Sequence, residues 1–323
     1  MEEIKTMVKD YKKLIESGFD IISKDGVRMP FRLNDVQIDY LESLKWHYPD
    51  LTGIRENILK ARQEGFSAFV DAMFTVDFLK DNNVGAQIIS HKKEETEVLI
   101  NRISFYIDSF CEKKGIKRSE LLSIDSKHYI ENKINGSYIF IGTAGAKTLG
   151  RGGTLQNIHW SEVAFYPNTA ILNAEKLVTA AEQQVGTGIG KIFRETTGNM
   201  MGDYYYREVE RSRKGESNFR FNFYPWFKNP EYKTAAIDYN PTEDDRHLME
   251  LHGLSIEQIV WYRNKEKEFE TKALFLREYP TTPEEAFLSS GSVFFDADVL
   301  KSYYERTIDP INSGTLAFDG SFV

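Results

Sequence analysis

Hydrophobic residues fall along the first two thirds of the chain in two alternating textures. Short apolar runs at Arg55 to Ala61, Val84 to Ser90, Ser137 to Thr143, Leu155 to Trp160 and Lys191 to Thr196 predict buried strands. Between them lie longer segments with apolar residues at steps of three and four. One begins after Ser67, and another carries Leu99, Ile103, Tyr106, Ile107 and Phe110 before Gly115, which can cap it. A third spans about Ile171 to Val185 and ends at the glycines of GTGIG. At the N-terminus, Met1 to Ser23 carries apolar residues near helical spacing ahead of a turn, SKDG. Strands and helices alternating at these lengths predict an α/β fold, a mostly parallel sheet with helices on both faces.

From about Asn218 the texture changes to an aromatic strand, NFRFNFYPWF, and a polar segment from Asn229 to Asp245. Ser255 and Gln258 then stand at capping-box spacing and predict a helix running to about Phe269. The expected organisation is an N-terminal helical segment over 1–30, a core over 31–217, and a small lid-like subdomain with a linker over 218–323.

Composition narrows the setting. The 323 residues are 41% hydrophobic and carry a net charge of −8, enough to bury a sizeable core and unlike a chain that coats nucleic acid uniformly. No run of about 18 apolar residues and no secretory signal is present, which predicts a cytosolic protein. The single cysteine, Cys111, excludes an internal disulfide and a cysteine-based zinc site, and its place in a helical pattern predicts a buried bystander.

The candidate chemistry starts at ILKARQEGFSAF, Ile58 to Phe69. A phosphate-binding loop reads G-x-x-x-x-G-K-[ST], and Gly65 and Ser67 stand at the right spacing, with Phe66 where the Lys should be. An apolar strand, a tight turn at Gly65 and a helix start at Ser67 form a phosphate cradle, because a helix N-terminus offers free N–H groups and partial positive charge. Lys60 or Arg62, just upstream, could supply the missing cation; the planar fork of Arg62 suits phosphate oxygens better.

NIHWSEVAF, Asn157 to Phe165, supplies the expected second half. Glu162 follows a buried strand and would be the general base for an attacking water, and Ser161 stands where an Asp usually handles Mg²⁺. ETTGN, Glu195 to Asn199, ends a later strand in hydroxyl and amide groups that could sense a γ-phosphate, and LGRGGT sets Arg151 in a glycine-rich loop from which it could enter a neighbour's site.

With these residues in view, the chain resembles the ATPase domain of the large terminase subunit of tailed bacteriophages, the viral DNA-packaging motor. FRLNDVQIDYL (Phe31 to Leu41) resembles the family's adenine-recognising Q motif, ARQEGFS its deviant Walker A, HWSE its Walker B, and TTGN its coupling motif. LREYPTTPEEAFLSSGSVFF (Leu276 to Phe295) resembles the segment that closes the ATPase region. The resemblance implies a RecA-like P-loop NTPase of the additional-strand, catalytic-glutamate type. It implies Gln37 on the adenine edge and Lys60, Arg62, Gln63, Glu64, Gly65, Phe66, Ser67 and Ala68 around ATP. It further implies Ser67 and Ser161 on Mg²⁺, and Glu162, Arg62, Arg151, Thr196, Thr197 and Asn199 in catalysis, with Arg151 acting in trans within a homo-oligomeric ring.

The implied partners are double-stranded DNA, a portal protein and a small terminase subunit, in the cytoplasm of an infected bacterium and without a membrane. A C-terminal nuclease domain is expected to lie beyond this chain. Asp296 and Asp298 form a D-x-D pair without a third carboxylate nearby, so no nuclease activity is expected. Two alternatives remain: a helicase-like P-loop ATPase, for which 323 residues leave no room for a second domain, and a nucleotide-dependent assembly module disabled by Phe66 and Ser161.

Overall fold

A central sheet organises the described chain, which in this computed structural model comprises residues 9–145, 155–168, 173–186, 188–287 and 306. Its strands are β3 (Arg55–Lys60), β4 (Gly85–Ser90), β5 (Leu122–Asp125), β6 (Tyr129–Asn132), β7 (Tyr138–Thr143), β8 (Asn157–Ser161), β9 (Lys191–Thr196) and β10 (Arg220–Tyr224). A separate antiparallel pair, β1 (Asp20–Ile22) and β2 (Arg28–Pro30), precedes them. The order across the sheet is β10-β3-β9-β8-β4-β7-β6-β5. All pairings from β10 to β7 are parallel, and β6 and β5 extend the edge antiparallel.

The helices are α1 (Tyr11–Gly18), α2 (Asp35–His47), α3 (Phe66–Lys80), α4 (Lys93–Lys114), α5 (Arg118–Leu121), α6 (Ala174–Glu182), α7 (Tyr204–Arg213), α8 (Glu243–His252), α9 (Ile256–Glu266), α10 (Lys272–Glu278) and α11 (Pro283–Ala286). Strand periodicity explains how they form layers. Ile58 of β3 and Ile88 of β4 face one core, built with α1 to α4, whereas the next residues, Leu59 and Ile89, face a second core with α6 and α7. None of these helices is long and apolar enough to cross a membrane.

The strands expected at Arg55, Val84, Ser137 and Lys191 form within a residue of those bounds, and that at Leu155 within two. Gly115 caps α4 at φ 65°, and Ser255 and Gln258 form the capping box of α9. Near the N-terminus the helix is shorter than its spacing predicts. It ends at Gly18, Phe19 turns extended, and β1 follows, so Asp20 to Ser23 belongs to a hairpin. The aromatic segment after Asn218 provides β10, which pairs with β3. Beyond it, Trp226, Tyr232, Ile259, Tyr262, Phe275 and Tyr279 form a third core that meets the sheet through Ala61. Cys111 is buried and unpaired.

Candidate nucleotide site

The C-terminal ends of β3, β9 and β8 lie side by side, and β9 is the strand inserted between the loop strand and the Glu162 strand. The carboxyl ends of strands are where parallel α/β sheets bind ligands. Leaving β3, the loop is tied down from several sides. Ala61 N–H donates to the Tyr224 carbonyl, Arg62 N–H to the Glu278 carbonyl, and Tyr232 Oη to the Arg62 carbonyl at 2.6 Å. Gly65 adopts φ 84°, a left-handed conformation that favours glycine, and a Cβ there would lie 2.6 Å from Gln37 Nε2 and displace that amide. Helix α3 then begins with Gly65 as its cap and no side chain on its first N–H groups, the arrangement that suits an anion.

Gln37 holds this loop. It sits at N3 of α2 in a capping box with Asn34, and its Nε2 donates to the Gly65 carbonyl at 2.8 Å. The amide that the resemblance assigns to adenine is therefore engaged with Asn34 and Gly65. Phe66, at the usual Lys position, is 1% exposed and packs on Tyr40 and Tyr224, so it offers a loop ligand only its backbone. Gln63 is exposed at φ 60°, and Ala68 is half-buried with its carbonyl accepting from Tyr106.

The two candidate cations occupy opposite environments. Arg62 is largely exposed and pairs with Glu278 of α10 at 3.2 Å. Lys60 is buried, with Nζ 3.0 Å from Glu162 Oε1 and 3.1 Å from Glu195 Oε2. Burial alone would lower the Lys60 pKa, but the two carboxylates outweigh it and hold the ammonium charged.

Glu162 follows β8 at φ 55°, a left-handed conformation that turns the chain sharply at the strand end. Its Oε2 accepts from Thr197 N–H at 3.1 Å and from Thr196 Oγ1 at 3.2 Å. Asn199 Nδ2 donates to the Ala164 carbonyl at 2.9 Å, anchoring the short turn after Glu162. The TTGN segment thus packs directly on the candidate base. Trp160 is core, as expected, with its indole N–H on Glu182. Arg151, Asp296 and Asp298 lie outside the described residues.

Sequence reasoning assigned no role to Glu195. This fully buried carboxylate accepts from Ser67 Oγ at 2.6 Å and from Ser161 Oγ at 2.8 Å, both on Oε1. His159 stands behind it, with Nε2 3.4 Å from Oε1 and Nδ1 2.8 Å from Asp71. Burial would raise the Glu195 pKa, but Lys60, His159 and Ser67 together hold it well below the usual carboxylate range. The two candidate metal residues, Ser67 and Ser161, therefore converge on one anionic oxygen. Hydroxyl oxygens backed by a carboxylate are the hard donors that suit Mg²⁺. Among the described residues, no cluster of three His, Cys, Asp or Glu side chains forms a metal cage.

No family model matches the sequence, and no curated protein matches it. Among solved structures, the HK97 bacteriophage large terminase is similar at a TM-score of 0.52 and 14% identity, covering 75% of this chain and 51% of that one. The Thermus phage P74-26 large terminase ATPase domain matches at 0.45 and 13%, covering 77% of this chain and 93% of its own. A large terminase from a thermophilic bacteriophage, in complex with ADP, matches at 0.46 and 12%, covering 76% and 52%. The chain spans about half the length of the HK97 protein. What it shares with that large terminase is its fold, a mostly parallel sheet flanked by helices.

Proposed function

We propose that the chain is the ATPase domain of a tailed-bacteriophage large terminase, in which hydrolysis of ATP drives double-stranded DNA into a procapsid. The observation that carries this reading is Glu162, a carboxylate at the open end of β8, in contact with Lys60 from the loop strand and with Thr196 and Thr197 at the end of β9. A binding module has no need of a base there.

The chain's own groups divide the work. The first turn of α3 and the backbone of residues 62–68 would take the phosphates, with Arg62 or Lys60 as the cation. Glu162 would accept the proton of the attacking water; Lys60, Thr196 and Thr197 orient its carboxylate, and Oε1, which accepts only from Lys60, retains a lone pair for that water. Thr196 and Thr197 would report phosphate occupancy to the base they touch. A divalent cation beside Ser67 and Ser161 would neutralise charge developing on the transferred phosphoryl group. DNA, portal protein and small terminase subunit are the partners of this reading.

A second reading, a nucleotide-dependent assembly module, is favoured by Phe66, which leaves the usual Lys position without charge. ATP hydrolysis by the chain and by Glu162→Gln, followed over a wide range of protein concentration, separates the two. Turnover that requires Glu162 and rises per subunit with concentration upholds the motor reading. ATP binding without Glu162-dependent turnover at any concentration upholds the module.

A further inference from the structure

The strand inserted between the two halves of the site carries a charge that the usual P-loop pattern places elsewhere. In P-loop NTPases an acid on the strand leading to the catalytic residue works with the loop Ser or Thr to hold the metal. On β8 that position is Ser161, which brings no charge. In the register of the sheet, Ser161 lies opposite Glu195, and Glu195 lies opposite Ile58 of β3. A side chain at 195 therefore stands between the loop strand and the Glu162 strand, and a glutamate there reaches both hydroxyls with one oxygen.

We infer that Glu195 is the positioning carboxylate for the loop hydroxyl, displaced by one strand from β8 to β9, and that it sets Ser67 for a divalent cation. The inference rests on the nucleotide-site reading above. An anionic acceptor at 2.6 Å fixes the Ser67 hydroxyl hydrogen toward itself and leaves the Oγ lone pairs free for a cation. Ser161, by donating to the same oxygen, is turned in the same way. Lys60 provides the counter-charge, and the two serine hydroxyls the hydrogen bonds, that let a carboxylate remain fully buried when no cation is bound.

The test is the affinity of the full chain for ADP, titrated calorimetrically in Mg²⁺ and again in EDTA, for the unaltered protein and two variants. Glu195→Gln removes the charge. Glu195→Asp keeps the charge facing Lys60 and His159 but withdraws the oxygen from Ser67. Each variant should lose roughly 10–100-fold of the Mg²⁺-dependent gain in affinity, the usual effect of removing an outer-sphere partner, with affinity in EDTA unchanged. A full Mg²⁺-dependent gain in either folded variant overturns the inference. So does a parallel fall in EDTA and in Mg²⁺, which marks a purely structural residue. Absence of ADP binding by the unaltered chain under both conditions would overturn the nucleotide-site reading itself, and this inference with it.

Discussion

Lys60 Nζ donates to Glu162 Oε1 at 3.0 Å, so the last residue of the loop strand is a counter-ion of the candidate base. Lys60 also lies 3.1 Å from Glu195, and these two carboxylates keep it charged in a buried place. Lys60→Met would remove the ammonium that both acids share and leave them facing each other across its place. The expected outcome is a loss of stability of about 3–5 kcal/mol, the range for breaking a buried pair, together with loss of ATP turnover. Arg62 is exposed and its pair with Glu278 is screened, so Arg62→Ala should change stability by only about 0–1 kcal/mol while weakening ATP binding. Thermal melts and ATP titrations of both variants check the contrast; equal melting temperatures would remove the buried role of Lys60.

How much of this site the sequence exposes depends on which relations are local. The loop from Lys60 to Ser67, the glutamate after β8 and the hydroxyl cluster after β9 each announce themselves within a few residues. The strands do too, because a doubly covered parallel sheet needs continuous apolar runs. Strand order is not local. Nothing within KIFRET says that β9 slots between β3 and β8, so the meeting of Glu195 with Ser67 and Ser161 becomes visible only in three dimensions. Gln37 illustrates the reverse: its capping-box spacing with Asn34 is present in the sequence, yet its hold on Gly65 depends on how α2 docks.

If Gln37 serves the loop, Gln37→Ala frees the Gly65 carbonyl and the Asn34 N–H together and should cost about 1–2 kcal/mol. Its effect on nucleotide binding should then be the same for ADP and GDP, because both depend on the loop. A loss confined to ADP would instead assign the amide to the adenine edge.

Gly198 links the segment beside Glu162 to α11. A Cβ at this position would fall 1.8 Å from the Ala286 carbonyl oxygen, and Met201 N–H donates to the Phe287 carbonyl nearby. Backbone cannot yield as a flexible side chain can. Gly198→Ala should therefore force α11 away from the Thr196–Asn199 segment, at a cost of roughly 1–3 kcal/mol or more. Faster proteolysis around residues 283–287 and a lower melting temperature are the expected signs, and a variant that melts with the parent would show that the contact is slack.

Glu64, inside the loop, buries both carboxylate oxygens without a hydrogen-bond partner. Burial pushes its pKa up to about 9; Lys60 and Lys24 oppose that shift and Glu231 adds to it. Between about pH 4.5 and 9 the folded chain keeps a proton that the unfolded chain releases, so this group's contribution is intact at low pH and is lost as pH rises. Glu64→Gln removes that proton and its slope. The variant should match the parent near pH 4.5 and gain on it steadily, by up to about 3.4 kcal/mol at pH 7. A neutral side chain also spares an incoming phosphate a like charge in the loop, so ATP binding by the parent should weaken above about pH 9 while that of Glu64→Gln does not. Urea titrations across this pH range, paired with ATP titrations, check both limbs; parallel stability curves would show that Glu64 is ionised in the folded chain.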